Sequence, residues 1–384
     1  MPPDPVPFNH PRLFGRPEHA IGLAIAGGDG AGGGPYGQRC AQWLQDRVGC
    51  AAAVITPSCT AALELAALAI GLEAGDEVVM PSFAFPSLAA AVALRGARPV
   101  FVDIRADTLG LDEGRIEAAI TGRTRAICTL NYAGVAGDVD RVRAIADAHG
   151  LRIIEDNAHG LCATYRGRPL GSFGDLAALS FHATKNVQIG EGGALLVNDP
   201  SLVQRVATLQ DKGTNRSDFN RGLVAKYEWV ELGSSPHIGE VPAALLWSQL
   251  GEADGITAQR RAVCAAYREA FAPLADKGLV ELPFDVADAR PDGHAFCLLA
   301  RRPEDRPELI SALADAGIQA TFHYAPLHAS PAGRRYGRAH GALTVTERVA
   351  ATIVRLPVWP GLPEDVPARA AAAAERTLAA SPVR

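Results

Sequence analysis

The sequence has few of the features that mark secreted, membrane-bound or nucleic-acid-binding proteins. Its seven cysteines are odd in number, widely spaced and without a C-x-x-C pair, which argues against a disulfide framework or a zinc site and favours a reducing cytoplasm. No apolar run approaches membrane-spanning length, and no signal peptide is predicted. A net charge of −5, from 37 basic and 42 acidic side chains, excludes a globally basic surface. We expect a cytoplasmic protein without metal, nucleic-acid or membrane partners.

The length predicts more than one structural unit. At 384 residues, the chain exceeds the usual size of a single hydrophobic core. Residues 1–37 are rich in proline and glycine and predict an extended arm with a glycine-rich loop. Residues 38–250 predict a large domain, and residues 251–384 predict a smaller α/β domain.

Short β-branched runs alternate with helical segments through the larger part of the chain. This alternation predicts an α/β fold with a mostly parallel central sheet and helices on both faces. In such sheets, ligands collect beyond the carboxyl ends of the strands. Further along the chain we predict one long helix over 242–274 and strands over 278–282, 294–300 and 319–323. The predicted strands of the large domain are 77–80, 99–103, 125–131, 152–156, 178–181 and 194–197.

Lys185 is the first candidate for chemistry. It follows an apolar run in the segment SFHATKN, residues 180–186, shortly before the glycines at 190–193. A single lysine is more often a solvated surface residue. Partly apolar neighbours such as Leu179 and Phe181, however, favour the neutral amine that covalent chemistry with an aldehyde needs. Together with Ser180 and a preceding aspartate, Lys185 is typical of a pyridoxal 5′-phosphate (PLP) site.

Asp156 ends the predicted strand 152–156 and is the second candidate. An aspartate at a strand end is commonly a turn residue. A carboxylate buried there needs a cationic or donor partner, and a protonated pyridine ring would serve as one. His159 could contact the ring hydroxyl, although a purely structural role is equally compatible with its position.

Two loops at predicted strand ends complete a candidate cofactor site. The segment PSCTAAL, residues 57–63, joins a short β-run to a helix, where Ser58 or Thr60 can cap the helix while free backbone N–H groups face a phosphate. Phe85 follows another strand end, and it is either a core anchor or a cover for a flat ring.

Other motifs are weaker. Residues 28–33 match G-x-G-x-x-G, but no acidic residue follows at the distance that a dinucleotide-binding site requires. The evidence for a nicotinamide dehydrogenase is therefore weak. A flexible loop near the substrate is the better interpretation. Residues 212–216 (KGTNR) form a basic turn that is either solvated or able to hold a diphosphate. Residues 323–328 (HYAPLH) either pack ordinarily or face a sugar.

Taken together, these segments resemble the PLP-dependent nucleotide-sugar aminotransferases of the DegT/StrS type, from residue 7 to residue 357. The subgroup that makes TDP-4-amino-4,6-dideoxygalactose matches best. The matching segments are 57–61, 131–136, 180–186, 212–217, 233–235, 322–324 and 326–328, of which 212–217 and 233–235 are specific to this subgroup.

The resemblance implies roles for individual residues. Lys185 binds the cofactor covalently and moves the proton, and Asp156 pairs with the pyridine nitrogen. His159 stands where the family usually has glutamine, and Ser235 stands where the broader family has an asparagine that reaches the partner subunit's phosphate. The other implied cofactor contacts are Ser58, Cys59, Thr60, Phe85 and Ser180. The implied substrate contacts are Gly30, Lys212, Thr214, Asn215, Arg216, His323, Tyr324 and His328.

The resemblance also implies PLP-dependent fold type I, a homodimer with shared active sites, and a reaction. The amino group of L-glutamate would pass, through the pyridoxamine 5′-phosphate form, to C4 of a TDP-linked 4-keto-6-deoxy sugar. Three alternatives remain open at this point. The acceptor could be a 4-keto pentose or a 3-keto sugar; the chain could be a sugar dehydratase, although those enzymes replace the lysine with histidine; or it could be a non-catalytic regulator.

Overall fold

The computed structural model describes residues 5–28, 30–284 and 286–380. The strands are β1 Ala52–Thr56, β2 Glu77–Pro81, β3 Arg98–Val102, β4 Thr124–Leu130, β5 Arg152–Asp156, β6 Thr164–Tyr165, β7 Arg168–Pro169, β8 Leu176–Ser180, β9 Gly193–Val197, β10 Val280–Glu281, β11 Ala289–Arg290, β12 Phe296–Ala300, β13 Arg338–Ala339 and β14 Ile353–Leu356. The α-helices are α1 Pro17–Ala26, α2 Pro35–Val48, α3 Cys59–Ala69, α4 Pro86–Ala93, α5 Ile116–Ala119, α6 Val139–His149, α7 Val203–Gln210, α8 Arg216–Asn220, α9 Glu240–Leu250, α10 Ala253–Asp276, α11 Asp305–Asp315, α12 Pro331–Tyr336, α13 Thr344–Thr352 and α14 Val366–Ala380.

The predicted central sheet is confirmed, with strand order β1-β9-β8-β5-β4-β2-β3-β13. The six neighbouring strands β8, β5, β4, β2, β3 and β13 run parallel to one another. Strand β9 is antiparallel to both of its neighbours, β1 and β8. Successive side chains of a strand point to opposite faces. Accordingly, Val78 and Met80 pack in one core with Leu63 of α3, whereas Val79 packs in a second core with Val142 of α6. The sheet is thus covered on both faces.

A second, smaller sheet has the order β10-β12-β14 and is antiparallel. Its apolar face packs on α10, α11 and α14 through residues such as Tyr267, Phe296, Leu309 and Ala370. Strand β13 leaves this region and extends the large sheet beside β3. The domain boundaries at residues 37 and 250 stay predictions.

Several predicted elements were wrong in detail. The arm predicted as extended contains α1, and α2 begins at Pro35. The single helix predicted over 242–274 is two helices, because α9 ends at Leu250 and α10 begins at Ala253. The predicted strand 319–323 is only an isolated bridge between Thr321 and Arg355. No helix within the described residues is both long enough and apolar enough to cross a membrane.

Candidate active site

A cavity of about 620 Å³ lies beyond the carboxyl ends of β5 and β8. It brings together most of the residues predicted for the cofactor. The predicted residues that line it are Ser58, Cys59, Thr60, Phe85, Asp156, His159, Ser180, Lys185, His323 and Tyr324. Lining residues that the sequence had not indicated include Phe8, Asn9, Ser87, Arg260, His294 and Arg355.

The loop after β8 positions Lys185. The chain folds back on itself, since Phe181 N donates to Gly192 O and Ala183 N donates to Gly190 O, both over 2.8 Å. Gly190 adopts a φ of +86°, which favours glycine at this turn. A tight turn, with Lys185 N donating to His182 O over 2.8 Å, then carries the lysine into the cavity lining.

The surroundings of Lys185 favour its neutral amine. Burial lowers its pKa to about 8, and the charge of Arg355 adds to this, while Cys59 and Asp156 oppose it. An ordinary lysine has a pKa near 10.4, so far more of this amine is unprotonated near neutral pH. A neutral amine is the nucleophile that condenses with an aldehyde.

Asp156 presents a buried carboxylate to the cavity with little local compensation. It is 4% exposed, and within the described residues its carboxylate accepts one hydrogen bond, from Ala158 N to Oδ1 over 3.1 Å. Burial raises its pKa, although Ala158 N–H and Lys185 favour the ionised form. A cationic N–H donor from a ligand would complete this site.

His159 is held as a neutral donor. Ala133 N donates to its Nδ1 over 3.3 Å, which places the ring proton on Nε2. The ring stacks on His294 with centroids 4.0 Å apart. Burial, and then the charges of Lys185 and Arg355, hold the pKa of His159 well below its usual range.

The N-terminus of α3 also lines the cavity. Ser58 caps the helix, because its hydroxyl accepts a hydrogen bond from Ala61 N over 3.1 Å, and Thr60 Oγ1 lies 2.7 Å from Ser87 Oγ. Free N–H groups at a helix start bind anions. Ser180 also lines the cavity, at the end of β8.

The C-terminal part of the chain supplies the wall of the cavity that sequence reasoning largely missed. His323 stacks on Tyr324 with centroids 4.1 Å apart, and its Nδ1 lies 3.1 Å from the hydroxyl of Tyr132. Phe85 meets Tyr324 edge-on at 6.2 Å and is itself largely exposed. Burial, followed by the charge of Arg355, lowers the pKa of His323 to about 2.

Other predicted substrate residues lie outside the cavity of this chain. Thr214 and Asn215 hold their own loop together, since the hydroxyl of Thr214 donates to Asp211 O and the amide of Asn215 bonds with Lys226 O and Glu228 N. His328 bonds with Ser82 Oγ over 2.7 Å. Three further predicted substrate residues, Gly30, Lys212 and Arg216, also lie outside the cavity, as does the predicted cofactor residue Ser235, and all four are exposed. Asp29, within the glycine-rich match, lies outside the described residues.

The residues of the cavity fit PLP. A lysine of lowered pKa, an under-compensated carboxylate and a helix N-terminus lie in one cavity, and these match the aldehyde, the pyridine nitrogen and the phosphate. The fold and the site thus define a PLP-dependent enzyme.

Comparison with known proteins identifies the family. The chain belongs to the DegT/DnrJ/EryC1/StrS aminotransferase family, whose model matches residues 20–373. It is 34% identical, over 341 residues, to the spore coat polysaccharide biosynthesis protein SpsC of Bacillus subtilis, covering 86% of this chain and 87% of that protein. The match confirms a PLP-dependent sugar aminotransferase.

Two solved structures show the same fold over nearly the whole chain. The aminotransferase TlmJ from Streptoalloteichus hindustanus has a TM-score of 0.87 at 28% identity, covering 98% of this chain and 99% of that one. DesV of S. venezuelae has a TM-score of 0.85 at 32% identity, covering 96% of this chain and 99% of that one.

Proposed function

We propose that this enzyme transfers the amino group of L-glutamate to C4 of a TDP-linked 4-keto-6-deoxy sugar. The products are a TDP-4-amino-4,6-dideoxy sugar and 2-oxoglutarate. The observation that carries the proposal is the convergence of Lys185 and Asp156 in one cavity of a sugar aminotransferase fold. The 4-keto sugar rests on the subgroup resemblance of residues 212–217 and 233–235.

Those two segments form one structural unit. Lys212 N, in the first segment, donates to Ser234 O, in the second, over 2.8 Å. A Cβ atom on Gly233 would lie 2.0 Å from Gly213 N, so the two glycines allow the backbones to touch. The close fit is consistent with a shared role of the two segments in the subgroup.

Five residues of the cavity have roles in this proposal. PLP, when bound, withdraws electrons from the carbon that carries the amine. Asp156 keeps the ring nitrogen protonated, and the N-terminus of α3, with Ser58 and Thr60, binds the phosphate. His159 donates from Nε2 toward the ring hydroxyl. Lys185 Nζ carries the proton to and from the reacting carbon, first of glutamate and then of the sugar.

The proposed enzyme is a homodimer. Exposed large apolar side chains gather in one segment, with Trp229 71% exposed and Leu223 66% exposed. A patch of this kind marks an interaction surface. In a dimer, the same segment would bring the exposed cations Lys212 and Arg216 to the partner's cavity, where they can bind a diphosphate. Ser235 would reach the partner's cofactor phosphate in the same way.

A half-reaction experiment tests the proposal. Purified protein with PLP is mixed with glutamate, and the cofactor absorbance is followed to the pyridoxamine 5′-phosphate form. TDP-4-keto-6-deoxyglucose is then added, and the return of the PLP spectrum and the amino sugar are measured. A Lys185→Ala variant is the control that should bind PLP without turnover.

The acceptor is decided by comparing keto sugars. A 4-keto pentose and a 3-keto sugar, each nucleotide-linked, are tested beside the 4-keto-6-deoxy sugar under the same conditions. Faster return of the PLP spectrum with either one would reject the proposed acceptor while leaving the aminotransferase class intact. If another amino acid converts the cofactor to its pyridoxamine form and glutamate does not, the proposed donor is rejected.

A further inference from the structure

The cavity contains a buried guanidinium without a counter-ion. Arg355 lies on β14, lines the cavity and is 7% exposed. Its Nε has no hydrogen-bond partner, and in the part of the chain that the structure describes it forms no ion pair with a carboxylate. A buried charge without a partner is costly. The site is therefore arranged for an anion that arrives with a ligand.

The neighbours of Arg355 orient it without neutralising it. Its Nη1 donates to Nε2 of His323, whose Nδ1 lies 3.1 Å from the hydroxyl of Tyr132. The guanidinium also lies over the ring of Phe8, 5.1 Å from its centroid. His323 is neutral because burial and Arg355 depress its pKa to about 2. His323 and Phe8 are both uncharged, so the full positive charge of Arg355 remains available.

Three anions could enter this cavity: the cofactor phosphate, the diphosphate of a nucleotide sugar and the carboxylate of an amino acid. The phosphate has its own site at the N-terminus of α3. The diphosphate is attached to C1 of the sugar, several bonds from the C4 that reacts. The α-carboxylate is attached to the same carbon as the reacting amine, so it must come close to Lys185. Arg355 is near enough to Lys185 for its charge to lower the pKa of that amine.

We propose that Arg355 binds the α-carboxylate of the amino donor and selects amino acids over other amines. This assignment rests on the proposed function and names the residue that recognises its donor. A guanidinium fork matches the two oxygens of a carboxylate. The keto sugar carries no anion next to its reacting carbon, so Arg355 serves one half-reaction and not the other.

The test separates the two half-reactions in the holoenzyme. The proteins compared are wild type, Arg355→Gln, Arg355→Lys and the control Arg348→Gln. In wild type, Arg348 lies on α13, and its exposed guanidinium pairs with Glu281 over 2.8 Å. Stopped-flow absorbance gives the glutamate dependence of the donor half-reaction. Protein loaded directly with pyridoxamine 5′-phosphate gives the sugar half-reaction. Calorimetry measures binding of glutarate, a dicarboxylate without an amine.

We expect Arg355→Gln to raise the half-saturating glutamate concentration and the glutarate Kd on the order of a hundredfold, as for truncation of one partner of a buried charge pair. The sugar half-reaction should change by no more than about threefold, which is within ordinary mutational scatter. The glutamate and glutarate values of Arg355→Lys should lie between those of wild type and Arg355→Gln, because lysine keeps the positive charge but cannot donate two parallel hydrogen bonds to a carboxylate. Arg348→Gln should behave like wild type.

Several outcomes overturn the assignment. The assignment is rejected if Arg355→Gln binds glutarate as tightly as wild type does. It is also rejected if the substitution slows the donor and sugar half-reactions equally. If Arg355→Gln does not fold, Arg355→Lys and a donor test on wild type decide instead. Wild type that accepts isoglutamine, whose α-carboxylate is an amide, as readily as glutamate rejects the assignment. Wild type that reacts with glutamate but not with the sugar rejects the proposed acceptor and leaves Arg355 assigned.

Discussion

A Cβ atom on Gly193 would lie 2.4 Å from the carbonyl carbon of Ser58. Gly193 begins β9, and Ser58 is the N-cap of α3. Real Cβ atoms do not approach backbone this closely. The missing side chain therefore lets the strand pass directly behind the start of the helix, where the phosphate is proposed to bind.

Replacing Gly193 by alanine should displace the start of α3. We expect a loss of about 1–3 kcal/mol in stability from overpacking, together with weaker binding of PLP. Thermal unfolding and equilibrium titration with PLP measure the two effects. Gly122→Ala is the control, because a Cβ at Gly122 would meet nothing within 4 Å. Equal PLP affinity in both variants would contradict the prediction.

The lowered pKa of Lys185 predicts the pH dependence of cofactor attachment. The neutral amine reacts, so the rate of PLP uptake by the apoprotein should rise with pH and level off above the pKa of about 8. An ordinary lysine would give a midpoint near pH 10.4. Absorbance after rapid mixing across pH 6–10.5 measures the rate. Lys185→Ala should show no covalent attachment at any pH, and a midpoint above pH 10 in wild type would refute the burial argument.

Asp156→Asn should separate stability from catalysis. Asparagine keeps an oxygen for the Ala158 N–H and removes a charge whose burial raises the pKa of the carboxyl group, so the apoprotein should be no less stable. The proton-transfer step should slow by on the order of a hundredfold or more. Calorimetry and the glutamate half-reaction measure these effects. Asp292→Asn is a control at a second buried carboxyl group, outside the cavity lining, and it should slow the step far less.

His159 should remain neutral and protonated on Nε2 throughout the physiological pH range. The Ala133 N–H fixes the tautomer, and burial holds the pKa of the ring well below its usual range. Imidazole ¹⁵N shifts of the holoenzyme between pH 5.5 and 8 measure both properties. His159→Gln, which keeps a donor, should retain more activity than His159→Leu, which loses about 1–3 kcal/mol of hydrogen bonding. Titration of His159 near pH 6.5 would contradict this interpretation.

Trp229→Asp should weaken the proposed dimer. An introduced charge in an apolar contact is unfavourable, so sedimentation velocity should show monomer at concentrations where wild type is dimeric. Turnover should fall as the dimer dissociates, since each cavity would lose the contacts that the partner subunit provides. Leu94→Asp is the control, because Leu94, the residue that directly follows α4, has a similar exposure of 70%. A fully active wild-type monomer would remove the dimer from the proposal.

Local patterns predicted the sheet and the residues at its carboxyl edge. Asp156 and Lys185 each follow an apolar run, and the carboxyl ends of parallel strands meet at one edge. Their proximity therefore follows from secondary structure alone. The break between α9 and α10 could not be predicted in the same way, because residues 240–276 have helical patterning throughout and only Gly251 marks the turn.

Arg260 and Arg355, unlike the predicted His323 and Tyr324, were missed for a different reason. Arg355 and Arg260 reach the site only through the packing of the smaller sheet and α10 against the larger one, and sequence spacing does not reveal that packing. One local signal was present. Arg355 interrupts an apolar run in β14, residues 353–356, and a charge inside a buried strand is itself an indication of function.

Strand β13 completes the edge of the large sheet beside β3, although it lies some 240 residues later in the chain (Arg338 pairs with Val100). During translation, β3 therefore emerges from the ribosome long before its neighbour exists. An unpaired strand edge is a template for pairing with other chains. The nascent protein must therefore keep that edge from premature association until residues 338 and 339 have been synthesised.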